Sequence, residues 1–175
     1  MRTIKVYKFD ELNDETQEKI VNKYRYINVE HQPWWDFSYE SIKEEASVIG
    51  IEIKTRPRIP TPSPDIYFDD NNVTINGYYQ YRKNSVKEIE HNEALHEIAI
   101  NLQKIQQKLF YRGTAELTHR GVETDYKEIE IELKNFYRWV KQTLDVEYDH
   151  LTSDQAVKET LIANEYEFLP DGRMV

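Results

Sequence analysis

Apolar residues recur along the chain with two periods. Thr3 to Phe9 alternates, with Ile4 and Val6 on one side and Lys5, Tyr7 and Phe9 on the other, which predicts a strand. Asn13 can cap a following helix, whose first turn carries Asp14 and Glu15 at the positive helix end. Ile20, Val21, Tyr24 and Ile27 form its apolar stripe. His31-Gln32-Pro33 breaks that helix, and Pro33 suits the first turn of the next. Trp35, Tyr39, Ile42, Ala46 and Ile49 then recur every three or four residues. Gly50 is the expected left-handed stop, and Ile51 and Ile53 read as a short strand.

Arg56 to Asp65 holds four of the six prolines, a density that only an extended loop tolerates. It reads as a stiff surface connection, with a recognition loop as the alternative. Ile66 to Phe68 and Val73 to Arg82 predict antiparallel strands joined at Asp69-Asp70-Asn71-Asn72, with a bulge at Gly77. Two caps compete for the next helix, Ser85 with Glu88 and Asn92. The stripe Leu95, Ile98, Leu102, Ile105 and Leu109 is regular only from Asn92. Thr114 to His119 reads as a strand and Arg120-Gly121 as a turn. Tyr126 to Leu133 (YKEIEIEL) alternates and predicts another strand, followed by a helix through Phe136, Trp139, Val140, Thr143 and Leu144. Thr152 and Gln155 form a capping box for a helix through Val157, Thr160 and Leu161, with Asn164 at its end. Tyr166, Phe168 and Pro170-Asp171-Gly172 suggest a terminal hairpin. The expected fold is α+β: an antiparallel or mixed sheet of about six to eight short strands packed with four or five helices, in a single domain over 1–175.

Composition narrows the chemistry. The 23 Lys and Arg against 32 Asp and Glu give a net charge of −9, which argues against direct DNA binding because phosphate neutralisation needs a basic stripe. The 3 Trp, 13 Tyr and 6 Phe favour a packed core over disorder. No apolar run is long enough to cross a membrane, and Met1 to Phe9 alternates instead of forming a signal-peptide block. Zero Cys removes disulfides and thiolate chemistry and fits the cytosol. Five scattered glycines build no phosphate-cradling loop, and no nucleophile elbow or H-E-x-x-H is present, so no catalytic residue and no cofactor is expected.

The charged residues offer candidate contacts. From Glu116 to Glu167 there are 13 acids against 6 bases. On the expected strand Glu128, Glu130 and Glu132 share one face and repel one another. An edge strand guarded by charge explains such a ladder; a docking surface for a basic partner, imitating nucleic-acid phosphates, is the functional reading. Trp34 and Phe37 lie on a helix face apart from the Trp35 stripe; they are expected as core, or, if exposed, as aromatic anchors for a partner. Tyr78, Tyr79, Tyr81, Arg82 and Lys83 could stack and hold single-stranded bases, though a half-buried strand explains them equally. Four histidines stand three residues after a glutamate (Glu88/His91, Glu93/His96, Glu116/His119, Glu147/His150), a spacing that di-metal sites use on facing helices, although only Glu93/His96 and Glu147/His150 fall on expected helices.

VYKFDELNDETQEK, PWWDF, ALHEIAINLQKIQQKLFY and LTSDQAVKETLIANEYEFLPDGR together resemble a family of small phage and prophage proteins, uncharacterised or labelled as the antitoxin of a toxin–antitoxin stability system. The likeness includes a closing hairpin with Tyr166, Phe168, Asp171 and Gly172, covers nearly the whole chain and brings no catalytic residues. It implies a phage protein acting in the host bacterial cytoplasm. With the acidic surface, it points to stoichiometric inhibition of a host defence nuclease, a CRISPR effector being one candidate, or of a toxin. The expected partner is a basic, nucleic-acid-binding host protein, contacted through Glu128, Glu130, Glu132 and the Asp69-Asp70 turn. Two rivals remain: a sponge for a nucleotide signal, with tyrosines around the base and Arg56, Arg58 or Arg82 on the phosphate, and a metal-dependent enzyme built on the Glu-x-x-His pairs.

Overall fold

The computed structural model describes residues 5–30, 33–57, 62–69 and 71–175. In chain order the elements are β1 (Tyr7–Lys8), α1 (Asp14–Lys23), α2 (Asp36–Val48), β2 (Ile51–Ile53), β3 (Thr55–Arg56), β4 (Ser63–Pro64), β5 (Ile66–Phe68), β6 (Val73–Ile75), β7 (Gly77–Gln80), α3 (Ser85–Glu88), α4 (Glu93–Lys108), β8 (Thr114–Thr118), β9 (Gly121–Glu123), α5 (Lys127–Leu151), α6 (Asp154–Ala163) and β10 (Glu167–Phe168). Every strand pairing is antiparallel, so the protein is α+β. Its ten strands and six helices among the described residues exceed the expected numbers, mainly because several strands are only two residues long. No helix among the described residues is long and apolar enough to cross a membrane. Contacts group the chain into two compact units, Met1–Trp34 with Val146–Val175, and Trp35–Asp145.

In the first unit, Asn13 caps α1 as expected, accepting the Thr16 N–H at 2.9 Å. The strand expected over Thr3 to Phe9 shrinks to β1: Phe9 enters a single 3-10 turn and buries its ring, and residues 1–4 lie outside the described set. The cap of α6 falls on Ser153, which accepts the Ala156 N–H, while the Thr152 hydroxyl donates back to the Tyr148 carbonyl. The closing hairpin forms, with the Leu169 N–H donating to the Arg173 carbonyl, and β10 also pairs with β1. Phe168 thereby lands in the middle of this core. Phe9 meets it edge-on with centroids 6.4 Å apart, and Ile20, Val21, Val157 and Leu161 complete the cluster.

In the second unit, α2 buries Tyr39, Ile42 and Ala46 and ends at Gly50 with φ +88°. A Cβ there would lie 2.1 Å from the Gln80 carbonyl oxygen, so the turn into β2 accepts only glycine. The main sheet has the order β2-β7-β8-β9. The expected strand Val73 to Arg82 is divided at Asn76: β6 pairs with β5, and β7 enters the main sheet. Gly77 is therefore a point of close approach instead of a bulge, its Cβ position lying 2.6 Å from the Glu52 carbonyl oxygen. Of the two competing caps only Asn92 forms, accepting the Leu95 N–H at the head of α4; the single turn α3 before it is preceded by Asn84 and makes no side-chain cap, so the Ser85–Glu88 box does not form. Gln106, fully buried on α4, accepts the Gly113 N–H at 3.0 Å. Its Nε2 donates to the Gly113 carbonyl at 2.7 Å and to the Tyr79 hydroxyl at 3.2 Å.

The largest correction concerns Tyr126 to Leu133. The segment opens the 25-residue helix α5 instead of forming a strand. Ile129, Leu133, Phe136, Val140 and Leu144 are all fully buried and recur at spacings of four, three, four and four, one continuous helical stripe. Ile131, which a strand would align with Ile129 and Leu133, is 49% exposed. Alternating residues over a short window satisfy both periods, since positions two and four apart include a helical i, i+4 pair. Burial decides the matter. Replacing Ile129 by Ala should cost about 2–5 kcal/mol by denaturant unfolding, whereas Ile131→Ala should change stability by less than about 0.5 kcal/mol.

Burial also governs the alkaline limit. It pushes the Tyr79 hydroxyl up to about 12, partly offset by the Gln106 hydrogen bond, and raises that of Tyr137 as well. In the unfolded chain both ionise near 10 (~10). Their contribution is thus intact below that pH and is lost as the pH climbs through about 10 toward 12, because the unfolded state sheds its protons first. A Tyr79→Phe/Tyr137→Phe variant should keep a larger share of its neutral-pH denaturant midpoint at about pH 11 than the wild type does.

Candidate functional site

In the main sheet the side chains alternate strictly. Ile51, Ile53, Tyr79, Ala115 and Leu117 turn into the core, so their neighbours turn outward. The register places Glu52 opposite Tyr78, Tyr78 opposite Glu116, and Glu116 opposite Glu123. All four are exposed, and with strands about 4.8 Å apart they form one row running about 14 Å across four strands. Tyr78, 40% exposed, stands between glutamates on both sides.

Only part of this charge is met locally. Lys54 Nζ lies 3.7 Å from Glu116, the Ser47 hydroxyl donates to Glu52 at 3.2 Å, and the Thr118 hydroxyl is 3.3 Å from a Glu123 carboxylate oxygen. Glu116 and Glu123 nevertheless oppose each other directly, an arrangement that costs stability on a sheet face. A three-glutamate ladder does exist in this protein, running across the strands instead of along one.

The residues singled out in the sequence end up elsewhere. On α5, Glu128 and Glu132 lie about 40° apart around the helix while Glu130 is about 200° from Glu128, so the three share no face. Glu128 pairs with Lys108 at 3.3 Å. Glu130 pairs with Lys134, whose hydrogen bond and charge hold that carboxyl below the usual carboxylate range. Glu132 accepts from Asn135 Nδ2 at 3.2 Å. Asp69 is a turn former, accepting the N–H groups of Asn71 and Asn72 at 2.8 Å each, and Asp70 lies outside the described residues. Trp34 is half-buried against Tyr148, with ring centroids 5.5 Å apart. Phe37, expected as core, is 91% exposed and keeps the character of an anchor.

Tyr78 and Tyr79 point to opposite faces and Tyr81 packs at a tilt against Tyr111, with ring centroids 4.6 Å apart, so these tyrosines form no common platform for bases. Arg82 is engaged with the Ser47 carbonyl and Glu88, while Arg56 borders a cavity with Trp35, Tyr39, Tyr67 and Phe68; Arg58 lies outside the described residues. Among the described residues no three of His, Asp and Glu converge into a set that could hold a metal ion, so no Glu-x-x-His pair is joined by further ligands. Sequence reasoning missed Glu52, Tyr78 and Glu123 as one surface. The available signal was the burial alternation within each strand, but which residues stand opposite one another depends on the register.

Residues 34–135 match a family described as Domain of unknown function (DUF8835). The chain belongs to that family. The DUF8835 segment contains the whole row Glu52–Tyr78–Glu116–Glu123 and the Arg56 cavity, and ends within the first turns of α5. No curated protein and no solved structure matches the chain.

Reversing the sign at one member of the row tests the electrostatics directly. Glu123→Lys converts a repelling cross-strand pair into an attractive one and should raise the melting temperature by about 1–3 °C at low salt, an increment that added salt removes.

Proposed function

We propose that this protein acts as a stoichiometric binder of a basic, nucleic-acid-binding host protein, and inhibits it by occupying the surface that would otherwise hold phosphate. The supporting observation is the open sheet face on which Glu52, Glu116 and Glu123 flank Tyr78. Carboxylates spaced by strands offer arginine and lysine repeated charge-assisted hydrogen bonds, and an exposed tyrosine supplies rigid contact area at low entropic cost. A chain that keeps glutamates directly opposed gives up folding stability at that point, and an arginine brought by a partner recovers it. The likeness to small phage proteins supports a host defence factor as target, a nuclease such as a CRISPR effector or a toxin, met in the bacterial cytoplasm.

This reading moves the contact surface from the α5 glutamates, which have partners of their own, to the sheet. The protein immobilised on a support is exposed to lysate of a bacterial host, and retained proteins are identified by mass spectrometry. A basic nucleic-acid-binding protein should be held by the wild type and by Glu130→Gln, released by rising salt, and bound at least about tenfold more weakly by Glu116→Lys/Glu123→Lys. A cooperative thermal transition and an unchanged far-UV circular dichroism spectrum show that the double variant is folded, even though its opposed lysines beside Lys54 lower its melting temperature. Equal retention by the double variant refutes the assignment of this face.

A further inference from the structure

A second site in the Trp35–Asp145 unit depends on none of the residues of that row. A cavity of about 280 Å3 is walled by the rings of Trp35, Tyr39, Tyr67 and Phe68 and bordered by Arg56 and Ser63. Arg56 and Ser63 are directly paired across the β3–β4 hairpin, so their side chains leave the same face about 5 Å apart. Ser63 is only 6% exposed as a residue, but its hydroxyl is open to the cavity it lines and makes no hydrogen bond among the described residues. A hydroxyl open to a cavity keeps its hydrogen-bonding capacity for whatever enters.

The guanidinium beside it is held in place. Arg56 Nε lies 3.2 Å from Asp65 Oδ1, Nη2 donates to the Ile66 carbonyl at 2.8 Å, and Asp65 is itself fixed by Asn76 Nδ2 at 2.8 Å. Arg56 Nη1 makes no bond among the described residues, which leaves donors aimed from an oriented plane. We infer that this cavity binds a planar aromatic anion of mononucleotide size, the ring held between the aromatic walls and the anionic group on Arg56 and Ser63. The volume lies at the small end of ligand sites, which span roughly 300–1,000 Å3, and so fits one nucleotide but not two.

Calorimetry on the full chain tests this with AMP, GMP, their cyclic monophosphates and indole-3-carboxylate. Adenosine, inorganic phosphate and a cyclic dinucleotide serve as comparisons. At least one aromatic anion should bind at one per chain, with adenosine at least about tenfold weaker and phosphate alone silent. Ser63→Ala and Tyr67→Ala should each weaken binding at least about threefold while leaving the melting temperature nearly unchanged, since Tyr67 is 57% exposed and the Ser63 hydroxyl makes no hydrogen bond among the described residues. The inference falls if no aromatic anion binds below about 1 mM, if phosphate or the dinucleotide binds as tightly, or if both variants bind as the wild type does. None of these outcomes bears on the sheet-face partner, whose variants leave the cavity intact.

Discussion

Gln106 has no exposed surface, and its carboxamide holds both backbone polar groups of Gly113 while also donating to Tyr79. Through these bonds α4 specifies where β8 begins and which side of β7 faces inward. The register of the main sheet follows, because Gly113 immediately precedes Thr114, which stands opposite Gln80. A slip of one residue would carry Ala115 and Leu117 to solvent and Glu116 into the core. Polar atoms buried this deeply are costly unless fully satisfied, and here each has its partner. The outer row Glu52–Tyr78–Glu116–Glu123 is the solvent-side image of that register.

Charge is paired differently on α5 and on the main sheet. On α5, Glu128 and Glu130 have lysine partners three to four ångströms away or closer, the ordinary arrangement of a solvated helix. On the sheet, Glu116 shares a single distant lysine and Glu123 has no cation within ion-pairing distance among the described residues. Equal formal charge thus has unequal reach. Carboxylates already neutralised attract a partner weakly, whereas those held side by side by the ladder keep a local field.

Glycine and short polar side chains do much of the steering between elements. Gly50 and Gly77 both sit where a neighbouring carbonyl oxygen would collide with a Cβ, at Gln80 and Glu52 respectively. Asp65 and Asn76 join the small hairpins to the main sheet: the Asp65 N–H donates to Lys54, the Asn76 N–H to Asp65 and the Lys54 N–H to Asn76. That junction places the β3–β4 hairpin so that Arg56 and Ser63 meet the aromatic side chains of α2 and β5 around one cavity.

Most elements were legible in the sequence because the forces that set them are local. Asn13 and Asn92 cap where their side chains reach the next turn, Gly50 stops α2, and the stripes on α2 and α4 announce their buried faces. Tyr126 to Leu133 was misread because eight alternating residues satisfy both periods, and only the continuation to Leu144 and the exposure of Ile131 separate them. The division of the Val73–Arg82 run at Asn76 was hidden for a related reason, since strand propensity does not say which strand will pair with which. By itself, the sequence determined composition, charge, the α+β class and most helix ends, all set by neighbours within a few residues. Tertiary structure alone decided which glutamates stand together and which arginine faces a cavity, because both depend on hydrogen-bonded register between strands far apart in the chain.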